Sequence, residues 1–293
     1  MKKTFMTLTM GMALVAGMTL TSCGEKKTAN AEQTATEQET TETASTPKPA
    51  DLKTFKASTL GDAQASTAAN VGFAADVQST PENLMENNTS LKALYFENEL
   101  GMIGTASFKG CTSLENIYAD QLIMVVGDEA FMGCTSLKEC TIRTNTYGLN
   151  AFDGCSALEK VIMKDGWTIR DNALANCPAL KTVIVPMTIE KIEEKAFENT
   201  ANIEELTIPY NYKDRMYTLA SASKNLKKVF ILTPAAYKFP TTASAKALNK
   251  SQCEAYVPDA LVKDFQADET WAGFAAIKPL SESGYFDAQC NIK

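Results

Sequence analysis

The sequence predicts a repeat solenoid, a coil of about seven turns with stacked parallel β-strands and short helical or turn segments. Three observations predict it. A block Phe-x-Gly-Cys-x-x-Leu recurs at Phe108 to Leu114, Phe131 to Leu137 and Phe152 to Leu158. Counted onward to Leu174, Phe197 and Ala220 and back to Met85, the block starts are separated by 23, 23, 21, 22, 23 and 23 residues. Each block also ends in Leu-x-x-apolar-x-apolar, as in Leu158-Glu159-Lys160-Val161-Ile162-Met163. A fixed period of this size dictates stacked supersecondary units before any single element is assigned.

The elements follow in chain order. Residues 1–22 read as a secretory signal peptide, with Met1-Lys2-Lys3, an apolar run from Thr4 to Leu20 and small residues before Cys23. The run is shorter and richer in Thr and Gly than a membrane span requires. Residues 23–50 are rich in Thr, Glu and Ala and nearly free of large apolar groups, so they predict a disordered tether. Residues 51–84 carry scattered apolar positions (Leu52, Phe55, Leu60, Phe73, Val77, Leu84) and read as an N-terminal cap. The repeats occupy 85–242, and 243–293 form a C-terminal capping segment.

Within the repeats, position one is the Phe. Position seven is Leu91, Leu114, Leu137, Leu158, Leu180, Ile203 and Leu226, and position ten is Leu94, Ile117, Cys140, Val161, Val183, Leu206 and Val229. Inward residues alternating over the last part of each block define a short strand. One such strand cannot bury its own apolar face, so neighbouring turns must stack, and seven strands about 4.8 Å apart give a rod roughly 30 Å long. Ahead of the blocks stand Ile103-Gly104, Val126-Gly127 and Ile192, and Asp128 and Asp171 suit N-caps of a short helical turn before each Ala-Phe or Ala-Leu pair.

Cys111, Cys134, Cys155 and Cys177 share position four and predict a buried ladder of small core residues. Their parallel side chains are poor disulfide geometry, and the paired Cys-x-x-Cys spacing of metal sites is missing. Cys140 is likewise inward. A bridge between Cys253 and Cys290 stays open, because both fall in the C-terminal segment of an exported chain.

Phe-x-Gly-Cys-x-x-Leu-x-x-Ile preceded by Ile-Gly-x-x-Ala resembles the BspA-like leucine-rich repeat family of bacterial surface proteins, over roughly residues 85 to 280. Cys253 to Pro258, Trp271 and Ile277 to Leu280 are similar to that family's terminal cap. The copy at Ala220 departs from the pattern, lacking Phe and Cys, and Tyr210 to Leu219 lacks the Ile-Gly signal. The resemblance implies a right-handed leucine-rich-repeat coil engaged in adhesion to host or neighbouring-cell proteins. Leu20-Thr21-Ser22-Cys23 resembles the lipobox of bacterial lipoproteins, which implies a lipid anchor on Cys23; Gly24 in place of Asp implies outer-membrane sorting. The expected location is the cell surface, with the periplasmic face as the alternative.

Composition narrows function further. Histidine is absent, which excludes His-based triads, His metal ligands and the usual neutral-pH proton shuttle. No phosphate-binding Gly loop is present, so neither enzyme activity nor a cofactor is expected. A net charge of −7 without a basic cluster makes nucleic acid an unsuitable partner. Function then falls to strand residues expected to face outward. Position eleven (Tyr95, Tyr118, Thr141, Ile162, Ile184, Thr207, Phe230) is aromatic or β-branched throughout, and position thirteen runs from Glu97 and Asp120 to Arg143 and Lys164. Such a stripe is either ordinary strand propensity or a binding platform. Tyr95, Tyr118, Arg143, Ile162, Lys164, Ile184 and Phe230 are the candidate ligand face. The main reading is a lipid-anchored, non-catalytic protein binding a macromolecule; the alternatives are a glycan-binding or nutrient-capture lipoprotein and a periplasm-facing envelope scaffold.

Overall fold

A computed structural model describes residues 48–234 and 250–293. The signal peptide, Cys23 and nearly all of the tether lie outside the described residues. The strands in chain order are β1 (Lys53–Phe55), β2 (Asn70–Phe73), β3 (Ala93–Phe96), β4 (Leu100–Ile103), β5 (Asn116–Ala119), β6 (Leu122–Val126), β7 (Glu139–Tyr147), β8 (Lys160–Asp165), β9 (Thr168–Ile169), β10 (Thr182–Ile184), β11 (Lys191–Ile192), β12 (Glu205–Pro209), β13 (Lys228–Leu232), β14 (Glu254–Val257) and β15 (Ala276–Pro279). All the paired strands run parallel, and equivalent repeat positions pair directly, as in Val183 with Leu206 and Leu206 with Val229. The coil makes about eight turns, because the capping segments continue the stack with β1, β2, β14 and β15.

Each turn contributes to up to three hydrogen-bonded columns. The first holds β1, β2, β3 and β5 in one sheet, then β7, β8, β10, β12, β13, β14 and β15 in another. The second holds β4, β6, the end of β7, β9 and β11. The break in the first column falls between β5 and β7. There the repeat is short, with 21 residues between Phe131 and Phe152 against 23 for its predecessor. The missing residues are the link corresponding to Asp120-Gln121, so the two strands of that turn fuse into the single nine-residue β7 that joins both columns.

The third column is the corner carrying the Phe-x-Gly-Cys letters. Helix is absent here, contrary to the helical turn expected after Asp128 and Asp171. Residues instead alternate into the left-handed region, at Asn87, Gly110, Gly133, Gly154, Asn176 and Asn199 in position three, and at Asn83, Ala106, Glu129, Asn150 and Asn172 two residues before position one. That alternation turns every second amide along the rod axis. Phe108 N donates to Ala130 O at 2.9 Å, Phe131 N to Ala151 O at 2.8 Å and Phe152 N to Ala173 O at 2.9 Å. Asp128 and Asp171 cap the neighbouring turn rather than their own: Asp128 Oδ1 accepts Leu149 N at 2.9 Å, and Asp171 Oδ1 accepts Lys195 N at 2.9 Å.

The thiols of position four complete this corner. Cys111, Cys134, Cys155 and Cys177 are fully buried. Each also donates to the position-one carbonyl of the turn before: Met85 at 3.1 Å, Phe108 at 3.2 Å, Phe131 at 3.2 Å and Phe152 at 3.3 Å. Thr200 Oγ1 does the same to Leu174 O at 2.9 Å. Position four therefore selects a small donor, not merely a small apolar group. Behind it the position-one rings stack, Phe108 on Phe131 at 5.4 Å and Phe131 on Phe152 at 5.1 Å. Position seven and ten residues are buried in every turn.

The irregular copy has a structural reason. Helix α1 (Lys213–Ala222) takes the place of a second-column strand and corner before Leu226, burying Met216, Leu219 and Ala220. At the C-terminal end, α2 (Val262–Ala267) and Trp271 close the core, with Trp271 packed against Phe265 at 4.8 Å and Phe274 at 5.4 Å. Position eight adds an axial charge column, Lys92, Glu115, Lys138, Glu159, Lys181, Glu204 and Lys227, with ion pairs Lys181–Glu159 at 3.1 Å and Lys227–Glu204 at 2.6 Å. These pairs are exposed and individually weak, but the alternation keeps like charges from stacking.

Two predictions test the corner. Gly154 is left-handed with open space where a Cβ would sit, so Gly154→Ala should lower stability by about 1–2 kcal/mol from conformation alone, and Gly154→Asn by less. Gly127→Ala should cost more than Gly154→Ala, because its Cβ would stand 2.5 Å from the Ile103 carbonyl oxygen. Cys155→Asp should cost more than about 4 kcal/mol through a buried unpaired charge. Cys155→Ser should cost far less, because its hydroxyl keeps the donation to Phe131. Chemical denaturation of the five variants checks the order.

Candidate binding surfaces

The outer face of the first column is not one uniform stripe. Its C-terminal half is covered by a strap, residues 280–293, that leaves β15 and runs back over the sheet. Ile184 and Phe230, expected to face a ligand, are 0% exposed under it, and they pack with the buried Leu232, Tyr256, Leu280 and Phe286 in a cluster separate from the main core. Ile162 packs partly buried at its margin. The correction has a plain cause: the alternation placed these residues on the outer face correctly, and a distant segment covers them.

The N-terminal half is free of the strap. Tyr95 and Tyr118 lie in register on β3 and β5 and stack at 4.7 Å with planes 24° apart. The stack covers Tyr95, leaving it 8% exposed, and raises its pKa through burial first and the neighbouring Tyr118 second. Arg143 and Lys164 do not share a row. The register shifts between Ile142 and Arg143, so Arg143 opposes Asp165, with Nε and Nη2 each 2.8 Å from Asp165 Oδ2. Lys164 is exposed on the bulged strand.

The face overlooked in the sequence belongs to the second column. Met124 is 51% exposed, Trp167 52% and Met102 37%. Met124 stands between Ile123 and Val125, which pair with Thr144 and Thr146, so it faces Asn145. Trp167 N in turn donates to Asn145 O at 2.8 Å. Met102 pairs with Val125 on the adjoining row. Met124, Asn145 and Trp167 thus form one axial row with Met102 beside it; Asp165 of the Arg143–Asp165 ion pair stands two residues before Trp167, and Lys191, ion-paired to Glu193, donates its main-chain N to Trp167 O at 2.7 Å. Period two gives no signal for this face: Ile123 and Val126 are both buried and three residues apart, as are Leu100 and Ile103, so alternation does not assign a side to Met124 and Met102.

The thiols offer no chemistry. Burial pushes Cys111 and Cys177 up to about 12 and Cys134 and Cys155 well above the ordinary value. They remain protonated and inert at neutral pH. Cys253 lies in the main core and Cys290 in the strap cluster, with no disulfide between them. No group of three or more His, Cys, Asp or Glu side chains among the described residues is arranged to hold a metal ion. No helix among them is long and apolar enough to cross a membrane.

The strap is latched at Glu205. Its carboxylate accepts the Tyr285 hydroxyl at 2.7 Å, Lys228 Nζ at 2.7 Å and Thr182 Oγ1 at 3.4 Å. Burial acts to raise the Glu205 pKa, but the hydrogen bonds from Lys228 and Tyr285 together hold it below its ordinary value of 4.5. Burial, then the bond to Glu205, pushes Tyr285 up to about 12.

Known proteins place the architecture. A family model described as BspA type leucine rich repeat region matches in six copies, over residues 63–159 and 145–240. Among solved structures, a leucine-rich cell surface protein from Faecalibacterium prausnitzii is 15% identical, over 71% of this chain and 78% of its own, with a TM-score of 0.27. A leucine-rich repeat protein from Bacteroides ovatus is 18% identical over 74% and 64%, with a TM-score of 0.28. The pneumococcal vaccine antigen PcpA is 12% identical over 72% and 79%, with a TM-score of 0.31. No curated protein matches.

The latch generates a pH prediction. Glu205 has a lowered folded pKa, so its stabilisation is full above its unfolded value and is lost as pH falls through the folded one. Tyr285 has a raised pKa, so its contribution is full below its unfolded value and is lost as pH rises through about 12. Tyr285→Phe should destabilise the strap by about 1–2 kcal/mol at neutral pH. It should also flatten both limbs of the stability–pH profile, measured by thermal melts from acid to alkaline pH.

Proposed function

Because this chain belongs to the BspA-type leucine-rich repeat family, we propose that it is a non-catalytic, lipid-anchored protein of the cell surface whose rod binds a protein partner. The observation that carries this reading is the exposed row of Met124 and Trp167 with Met102 beside it, on a sheet held rigid by axial hydrogen bonds. Large apolar side chains left in water on a fixed backbone, with charged residues nearby, have the composition of an interface centre and rim. Preorganisation lowers the entropy cost of docking. The lipobox-like Leu20 to Cys23 and the tether composition that follows it support display outside the cell. Adhesion is the role this arrangement serves. A glycan platform at Tyr95 and Tyr118 has less support, since Tyr95 offers little free ring for a sugar to stack on.

Two measurements test the reading. Proteinase treatment of intact cells should remove the domain; a domain protected until the outer membrane is permeabilised would contradict surface display. The purified protein should bind spots on a matrix-protein array, and Met124→Ala/Trp167→Ala should lose about tenfold or more of that binding. Stability should change by no more than about 0.5 kcal/mol, as expected of exposed positions. Binding unchanged in the double variant would place the interface elsewhere.

A further inference from the structure

The strap covers more, and is tied less, than an end cap requires. The strand order at this end is β12-β13-β14-β15, yet the strap reaches back to Glu205 on β12 and to Ile184 on β10. Its apolar contacts lie in a cluster distinct from the main core; Ser281, donating through N and Oγ to the Asp259 carboxylate at 3.1 Å and 2.6 Å, fixes its root, and the segment beyond that root can lift without parting the stacked turns. Its main-chain bonds close on itself: Asp287 N to Asn291 O at 3.0 Å, Cys290 N to Asp287 O at 3.1 Å and Lys293 N to Tyr285 O at 2.9 Å. The Asp287 carboxylate accepts Gln289 N and Asn291 N at 2.9 Å each. This is a preorganised hairpin that meets the sheet with adjacent aromatic residues, Tyr285 and Phe286, whose rings lie 5.4 Å and 5.8 Å from that of Phe230.

Beneath the strap one polar group is left over. Thr207, in the position-eleven row between Ile184 and Phe230, is 0% exposed, and its Oγ1 has no hydrogen-bond partner. Buried hydroxyls are normally paired, and an orphan calls for an explanation. The strap fills the apolar part of this face and leaves its hydroxyl unanswered, while Glu205 beside it takes a hydroxyl donor.

We propose that this face is a peptide-binding site held closed by the chain's own strap, and that it takes a hairpin-forming partner segment bearing adjacent aromatic residues and a polar group that reaches Thr207. The strap is the resident occupant and shows the pattern the face accepts. Closure lowers the apparent affinity for a competing segment by the fraction of molecules in which the strap is open. The site is separate from the Met124–Trp167 row, so either reading can fail alone.

The test uses the full chain and a fluorescent peptide of residues 284–293 as probe. Tyr285→Phe/Phe286→Ala, which loosens the strap, should bind the peptide about tenfold more tightly than the wild type, as the closed fraction falls. Trp167→Ala should leave that binding unchanged. A folded double variant that does not bind better than the wild type overturns the proposal. So does a double variant that loses the whole fold, since the strap would then be part of the core. In the wild type, native-state thiol labelling mapped by mass spectrometry should modify Cys290 about tenfold faster than Cys155, because local opening precedes global unfolding. Equal protection of the two would also overturn it.

Discussion

Each turn of this rod is joined to its neighbours at the corner, where a left-handed residue sits beside a buried donor. The letters Phe-x-Gly-Cys form one device. Position three is Gly or Asn in every turn from Gly110 to Asn199, the residues that enter the left-handed region at least cost, as Gly110, Gly133, Gly154, Asn176 and Asn199 do. That reversal aims the amides of the corner at the next turn. Position four must then be small enough to fit between stacked turns and able to donate to the turn before, which Cys155 does with a thiol and Thr200 with a hydroxyl. Position one follows from both, because rings one above the other fill the space the corner encloses.

This constraint separates the residues that build from those free to bind. The thiols are spent on the stack, and their burial removes them from redox and metal chemistry. The alternating Lys and Glu of position eight serve the same axial order. What remains free is the outer side of each sheet, and the two sheets differ. The first is half covered by a segment of the chain itself, and the second exposes methionines and a tryptophan. A rigid backbone fixes where these side chains stand, so recognition rests on a few substitutions laid over a repeated frame.

How much of this was legible in the sequence depends on the range of the contact. The turns, the inward columns and the buried thiols were legible, because each is set within one period and repeated. The donor role of Cys155 was less so, since a buried Cys reads equally well as a small apolar residue until Thr200 at the same position is weighed. The fused β7 was visible only as a step of 21 residues, and its bulge moved Arg143 out of the row assigned to it. The strap was not legible at all. Tyr285 meets Glu205 across 80 residues, and no periodicity links a terminal segment to the face it covers. Asp128 and Asp171 misled for a related reason: a carboxylate placed to cap its own helix caps an adjacent turn equally well when turns lie one strand spacing apart.

Native-state hydrogen exchange, resolved by residue, tests the corner most directly. The amides of Phe131 and Phe152, which donate along the axis at 2.8 Å and 2.9 Å, should exchange as slowly as those of Val161 and Val183 in the strands. Corner amides exchanging at the rate of an open loop while the strands stay protected would contradict the account, because the rod would then be held by its sheets alone.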